Sequence, residues 1–180
     1  MKNKKTAHRY AHALLGMAND KKLLDRTYED VMHLHSVIGQ SEDFRTFLKN
    51  PIINHLQKKN TFKALFENNV SREVLEFLNV LCMKNREDIL DEIIDEFIEL
   101  RNEQLGLVKA EVVSVIDLDS KQIEILTSKL AALTGKTPQL HFSKDPKLVG
   151  GFLVRIGDTV IDGSVRHQLE RLKDQFALNK

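Results

Sequence analysis

"EQLGLVKAEVVSVIDLDSKQIEIL", residues 103–126, is where the chain changes its period. Up to Gln104 apolar residues recur every three or four positions, the spacing of a helical face. After Gly106 they alternate: Val108, Ala110, Val112, Ser114 and Ile116 stand against Leu107, Lys109, Glu111, Val113 and Val115, as in a strand. Helical spacing then returns, capped by Asp119 or Ser120, with Ile123, Leu126, Leu130 and Leu133 on one face. The expectation is an α+β chain with its boundary near residue 105. An N-terminal all-α six-helix bundle (1–105) is followed by a small C-terminal α/β domain (106–180).

Working upstream, a first helix is expected over about Thr6–Asn19 and a second over Lys21–Ile38, with Leu24, Thr27, Val31, Leu34 and Ile38 in step. A short third helix carries Phe44, Phe47 and Leu48 and ends at Asn50-Pro51, because the residue before proline is pushed from the helical region. A fourth covers Leu56–Phe66. Ser71 caps a fifth holding Val74, Phe77, Leu78 and Leu81. The sixth spans about Glu87–Gln104, with Ile89, Ile93, Phe97 and Leu100 inward.

Downstream, "PQLHFS" reads as a short strand, and "GGFLVRIGDTVID" as two strands about Gly157-Asp158, where a leading glycine suits a type II′ hairpin turn. Asp162-Gly163-Ser164 opens a last helix with Val165, Leu169, Leu172 and Phe176 spaced four, three, four.

The totals exclude several functions. A chain of 180 residues with 42% hydrophobic and 29% charged content is an ordinary globular protein, able to bury roughly 70% of its unfolded surface. Its 27 basic and 26 acidic residues leave a net charge of +1, without the basic excess of a dedicated nucleic-acid binder. Cys82 is the only cysteine, so no internal disulfide forms; in Val80-Leu81-Cys82-Met83 it reads as a small buried hydrophobe. "MKNKK" lacks a following apolar run, so no signal peptide is expected there. No run reaches the roughly 18 apolar residues of a spanning helix, so no direct membrane insertion and a cytoplasmic location are expected.

Few residues suggest chemistry. Gly135-Lys136-Thr137 matches the end of a phosphate loop, but position 130 is Leu where that loop needs glycine, and a helix precedes where a strand should. Gly135 reads as the glycine that closes a helix. Gly150, Gly151 and Gly157 form no dinucleotide fingerprint; a strand entry and a hairpin explain them. His8 and His12 share a helical face, yet no third metal ligand has suitable spacing. The eight acids between Glu87 and Glu103 read as a solvated surface that can also steer a basic partner. No G-x-S-x-G elbow is present. No catalytic residue, cofactor or metal site is assigned.

The informative feature is a surplus of apolar faces. In the first helix Ala7, Ala11, Leu14 and Ala18 form one stripe, and Tyr10, Ala13 and Met17 a second. In the fifth, Val74, Leu78 and Leu81 form a stripe, with Phe77 and Val80 off it. A surface helix needs one stripe. Either both helices are central to the core, or they form a groove for a partner's amphipathic helix. A rival reading, a helical nucleic-acid-binding regulator, would need a basic face. Only Lys2, Lys4, Lys5 and Arg9, with a second group of Lys58, Lys59 and Lys63, offer one.

"LVGGFLVRIGDTVIDGSVRHQLERL", residues 148–172, resembles the C-terminal signature of the delta subunit of bacterial F-type ATP synthase, whose mitochondrial counterpart is the oligomycin-sensitivity-conferring protein. "RYAHALLGMA" (9–18) is similar to that family's opening helix, and "FLKNP" (47–51) also fits; His167 departs from the small residue expected there. The resemblance implies a non-catalytic stator subunit at the cytoplasmic face of the bacterial inner membrane. It implies that the N-terminal helix of an alpha subunit docks between the first and fifth helices, at Tyr10, Ala13, Met17, Phe77 and Val80. It also implies that the C-terminal domain meets b-type peripheral-stalk subunits, with no nucleic acid involved.

Overall fold

The computed structural model describes residues 2–178; side-chain surroundings are not described for Lys2, Asn3, Lys147, Glu170, Leu172 and 174–178. The chain separates into two compact units, Met1–Arg101 and Asn102–Lys180, a few residues before the expected boundary.

The first unit holds α1 (Lys2–Asp20), α2 (Leu24–Gln40), α3 (Glu42–Lys49), α4 (His55–Phe66), α5 (Arg72–Met83) and most of α6 (Leu90–Gln104), with a 3₁₀ turn at Glu87–Ile89. Helix α2 begins three residues later than its periodicity suggests. Lys22 takes a left-handed φ of 56°, and the Leu23 and Lys22 amides donate to the Ala18 and Asn19 carbonyls at 2.8 and 3.0 Å. That pair of bonds is a Schellman ending for α1, made without glycine. Ser41 and Ser71 cap α3 and α5 by accepting from the Phe44 and Val74 amides. Asn54 and Gln57 form a reciprocal capping box on α4.

The core runs through all six helices and centres on the fully buried Phe62, Phe66 and Phe97, with Leu34, Ile38, Leu78, Leu81 and Ile93 around them. Phe44 meets the edges of Phe62 and Phe66 at centroid distances of 6.2 and 6.0 Å. A buried carboxylate fixes the start of α5: Asp30 of α2, 2% exposed, accepts from the Ser71 amide at 2.8 Å and pairs with Arg26 at 3.3 Å.

A second buried charge corrects the sequence reading. Lys58 and Glu87, assigned to a basic group and to a solvated acidic face, are 2% and 6% exposed. The Lys58 ammonium donates to Glu87 at 2.7 Å and to the Leu48 carbonyl at 2.8 Å, tying α4 to the end of α3 and to the turn before α6. Burial favours pairing because an isolated charge there would lose its hydration without return. The second basic group is thereby reduced to Lys59 and Lys63.

The second unit is a four-stranded sheet in the order β2-β1-β3-β4, with β1 Leu107–Ser114, β2 Thr137–Lys144, β3 Phe152–Ile156 and β4 Thr159–Asp162. Strands β1 and β2 run parallel, joined by α7 (Ser120–Thr134); β1–β3 and β3–β4 are antiparallel. Asp119 is the α7 cap, in a capping box with Gln122. Gly157 has a φ of 55° and Asp158 has no positive φ, as a type II′ turn requires. Ala110, Val112 and Val154 of the sheet pack on Leu126 and Leu130 of α7.

Four expected inward positions are not inward. Ile116, placed in the β1 alternation, lies past the strand's end and is 70% exposed; the Ser114 hydroxyl donates to its carbonyl at 2.7 Å as the chain turns. Leu133 sits in the last turn of α7, beyond the sheet's reach, and is 67% exposed. On α8 (Val165–Leu178), Val165 and Leu169 are exposed, while the side chains of Leu172 and Phe176 lie outside the described residues.

The glycine-rich signature is explained by close backbone approach. A side chain on Gly151, whose φ is +79°, would place its Cβ 2.3 Å from the Gly163 carbonyl oxygen. One on Gly163 would come within 3.2 Å of the Phe152 carbonyl. Val165 and Gly163 amides donate to the Gly150 and Phe152 carbonyls at 3.0 and 2.9 Å. The start of β3 and the entry to α8 therefore pass backbone against backbone, which glycine alone permits.

Candidate functional site

The inner stripe of α1, Ala7, Ala11, Leu14 and Ala18, is buried, as is Val74, Leu78 and Leu81 of α5. The second stripes are only partly covered, and between the two helices lies a groove of about 190 Å³. Ala13, Leu14, Met17 and Lys21 form its α1 side; Glu73, Glu76, Phe77 and Val80 form its α5 side. Met17 and Phe77 are half-buried against the core, whereas Val80 is 45% exposed. Four of the five residues singled out from sequence, Ala13, Met17, Phe77 and Val80, thus line one surface. Tyr10 does not line it; like Met17 and Phe77 it packs in part on the core, and the Arg9 guanidinium lies 5.5 Å above its ring.

Sequence reasoning missed the polar residues of the groove. Lys21 follows Met17 by four positions and Glu73 precedes Phe77 by four, so both continue the outward stripes. The Lys21 ammonium meets the Glu73 carboxylate at 3.1 Å and braces the end of α1 against the first turn of α5. The Glu73 carboxyl lies below its ordinary value, chiefly through its own backbone amide in that first turn and then through Lys21. It stays ionised at neutral pH.

The remaining candidates carry no chemistry. Gly135 closes α7 with a left-handed φ of 67°, its amide bonded to the Ala131 carbonyl at 2.9 Å; Thr137 opens β2. His8 is turned toward Glu96 at 3.0 Å, and its ring lies 6.5 Å from that of His12. Among the described residues no three His, Cys, Asp or Glu side chains are grouped to hold a metal ion. Burial, with Glu87 adding to it, pushes the Cys82 thiol up to about 11, so it is neutral and unreactive.

An apolar groove on a helical bundle, followed by a second small unit, has the form of a binding protein. Comparison with known proteins gives the particular family. Residues 6–176 match the family described as ATP synthase delta (OSCP) subunit, and the chain belongs to that family. It is 37% identical to the ATP synthase subunit delta of Chloroherpeton thalassium over 169 residues, 94% of this chain and 92% of that one. It is 38% identical to that of Chlorobium phaeobacteroides strain BS1 over 167 residues, 93% of each chain. A chain in the cryo-EM structure of the Toxoplasma gondii mitochondrial ATP synthase hexamer superimposes with a TM-score of 0.72 over 95% of this chain and 97% of that one; at 23% identity it shows the shared fold. The chain is a non-catalytic stator subunit of the peripheral stalk, part of the ATP synthase complex. Among the described residues no helix is long and apolar enough to cross a membrane.

Proposed function

We infer that the α1–α5 groove receives the N-terminal helix of an alpha subunit of the catalytic head. The second unit meets b-type stalk subunits, so that the chain holds the head still at the cytoplasmic face of the bacterial inner membrane while the rotor turns. The observation that carries the reading is the convergence of Ala13, Met17, Phe77 and Val80 on one groove. Such a joint needs tight attachment without chemistry. Burial of each large apolar side chain contributes about 1.5–3 kcal/mol toward it. The exposed Val165 and Leu169 of α8 support a partner at the second unit.

The test is calorimetric titration with a peptide copying the alpha-subunit N-terminal helix from the same organism. One-to-one binding is expected, weakened by Phe77→Ala by about 2 kcal/mol, roughly thirtyfold. Unchanged affinity in a folded Phe77→Ala variant removes Phe77 from the site; no binding to the folded wild type removes the groove.

A further inference from the structure

The rim of the groove says more about its occupant than the floor does. Lys21 is the cation lining it, and Glu73 and Glu76 are the anions. Lys21 and Glu73 satisfy one another at 3.1 Å. Glu76 is then the surplus charge facing the groove. Its partner at 2.9 Å is Arg72, which stands one turn earlier on the same helix, is 86% exposed and does not line the groove. An exposed pair within one helix is weak and readily exchanged. A cation brought in by a bound helix would meet Glu76 in a partly desolvated setting, where the attraction is larger.

We propose that the occupant is an amphipathic helix carrying, beside its apolar stripe, a lysine or arginine that pairs with Glu76 and fixes the direction in which it lies. This rests on the groove being the docking site. The Lys21–Glu73 bridge joins the end of α1 to the start of α5, so the groove is polar at that end and apolar toward Ala13 and Val80. A helix laid the other way would set its cation over Val80 and lose the pairing. A cation carried one turn too far would meet Lys21 and be repelled.

The experiment is a charge swap with the same alpha-subunit peptide. Glu76→Gln should weaken binding roughly two- to fivefold at low salt. Glu76→Lys should weaken it further, and both losses should shrink at about 0.5 M salt, where the screening length is a few ångströms. A peptide whose basic residue is replaced by glutamate should bind Glu76→Lys better than it binds the wild type. Phe77→Ala is measured alongside. If Phe77→Ala weakens binding while Glu76→Lys does not, the charge pairing is wrong and the groove stands. If neither weakens it, the groove itself is wrong and the pairing falls with it.

Discussion

In the first unit Phe62, Phe66 and Phe97 are buried to within 1% of their surface, whereas in the second Phe142, Ile125, Leu133 and Leu169 keep about half or more of theirs. The contrast follows from architecture. Six helices can enclose a core from every side, so each helix has a face to hide. A four-stranded sheet with α7 covers a thin layer: Ala110, Val112, Leu126, Leu130 and Val154 are its buried apolar residues among those described. Small cores leave apolar surface that cannot be covered from within, and contiguous surface of that kind marks a contact with something else. The first unit also leaves Ile52, Leu56 and Met83 exposed, but around a much larger core.

The contrast breaks most visibly at Gly151. Gly151→Ala forces a Cβ against the Gly163 carbonyl at a positive φ, and a cost of at least about 4 kcal/mol is expected. The thin second unit should unfold while the helical signal of the first persists. Two-dimensional NMR of the variant would show sheet resonances lost and bundle resonances kept; loss of both sets would mean that the units are not independent.

Lys58→Met sharpens the comparison from the other side. It leaves the buried Glu87 carboxylate without its cation, and about 3 kcal/mol of bundle stability should be lost in urea unfolding. Adding Glu87→Leu should recover most of it, because two apolar residues carry no desolvation cost. If the double variant is as unstable as the single, the Leu48 carbonyl bond is the larger contribution.

The smallest effect concerns the entry to α8. The Asp162 carboxyl is held below its ordinary value by the Ser164 hydroxyl and then by the Ser164 amide, which donates at 2.8 Å. A depressed carboxylate stabilises above its unfolded value, and the gain is lost as pH falls through the folded value. Asp162→Ala should therefore be less stable than wild type at pH 7, and the difference should fade as pH falls below the ordinary carboxylate range. A difference that stays constant with pH would assign the effect to the backbone preference of the turn between β4 and α8 instead.

These regions also differ in how far the sequence discloses them. The bundle was legible because its core faces repeat with helical period and the Ser71 cap stands at a recognised offset; the Ser41 and Asn54 caps went unread. The surplus stripes then gave four residues of the groove. Period alone could not show that Tyr10 lies outside the lining of the groove, since a stripe gives direction around the helix and not the extent of a surface depression. Lys58 and Glu87 were hidden for a different reason: they stand 29 positions apart, and nothing local distinguishes a buried lysine from a solvated one. In the second unit Ile116 and Leu133 kept the right spacing past the point where the partner surface ends. Spacing reports direction and not extent.

The close approach at Gly151 bears on what the signature at 148–172 records. Gly151 and Gly163 mark where two stretches of main chain cross with no room for a β-carbon. A motif of that origin is a steric fingerprint. It carries over wherever the crossing is kept, whatever the surface does, so it identifies kinship reliably and leaves the choice of partner to be written elsewhere in the chain.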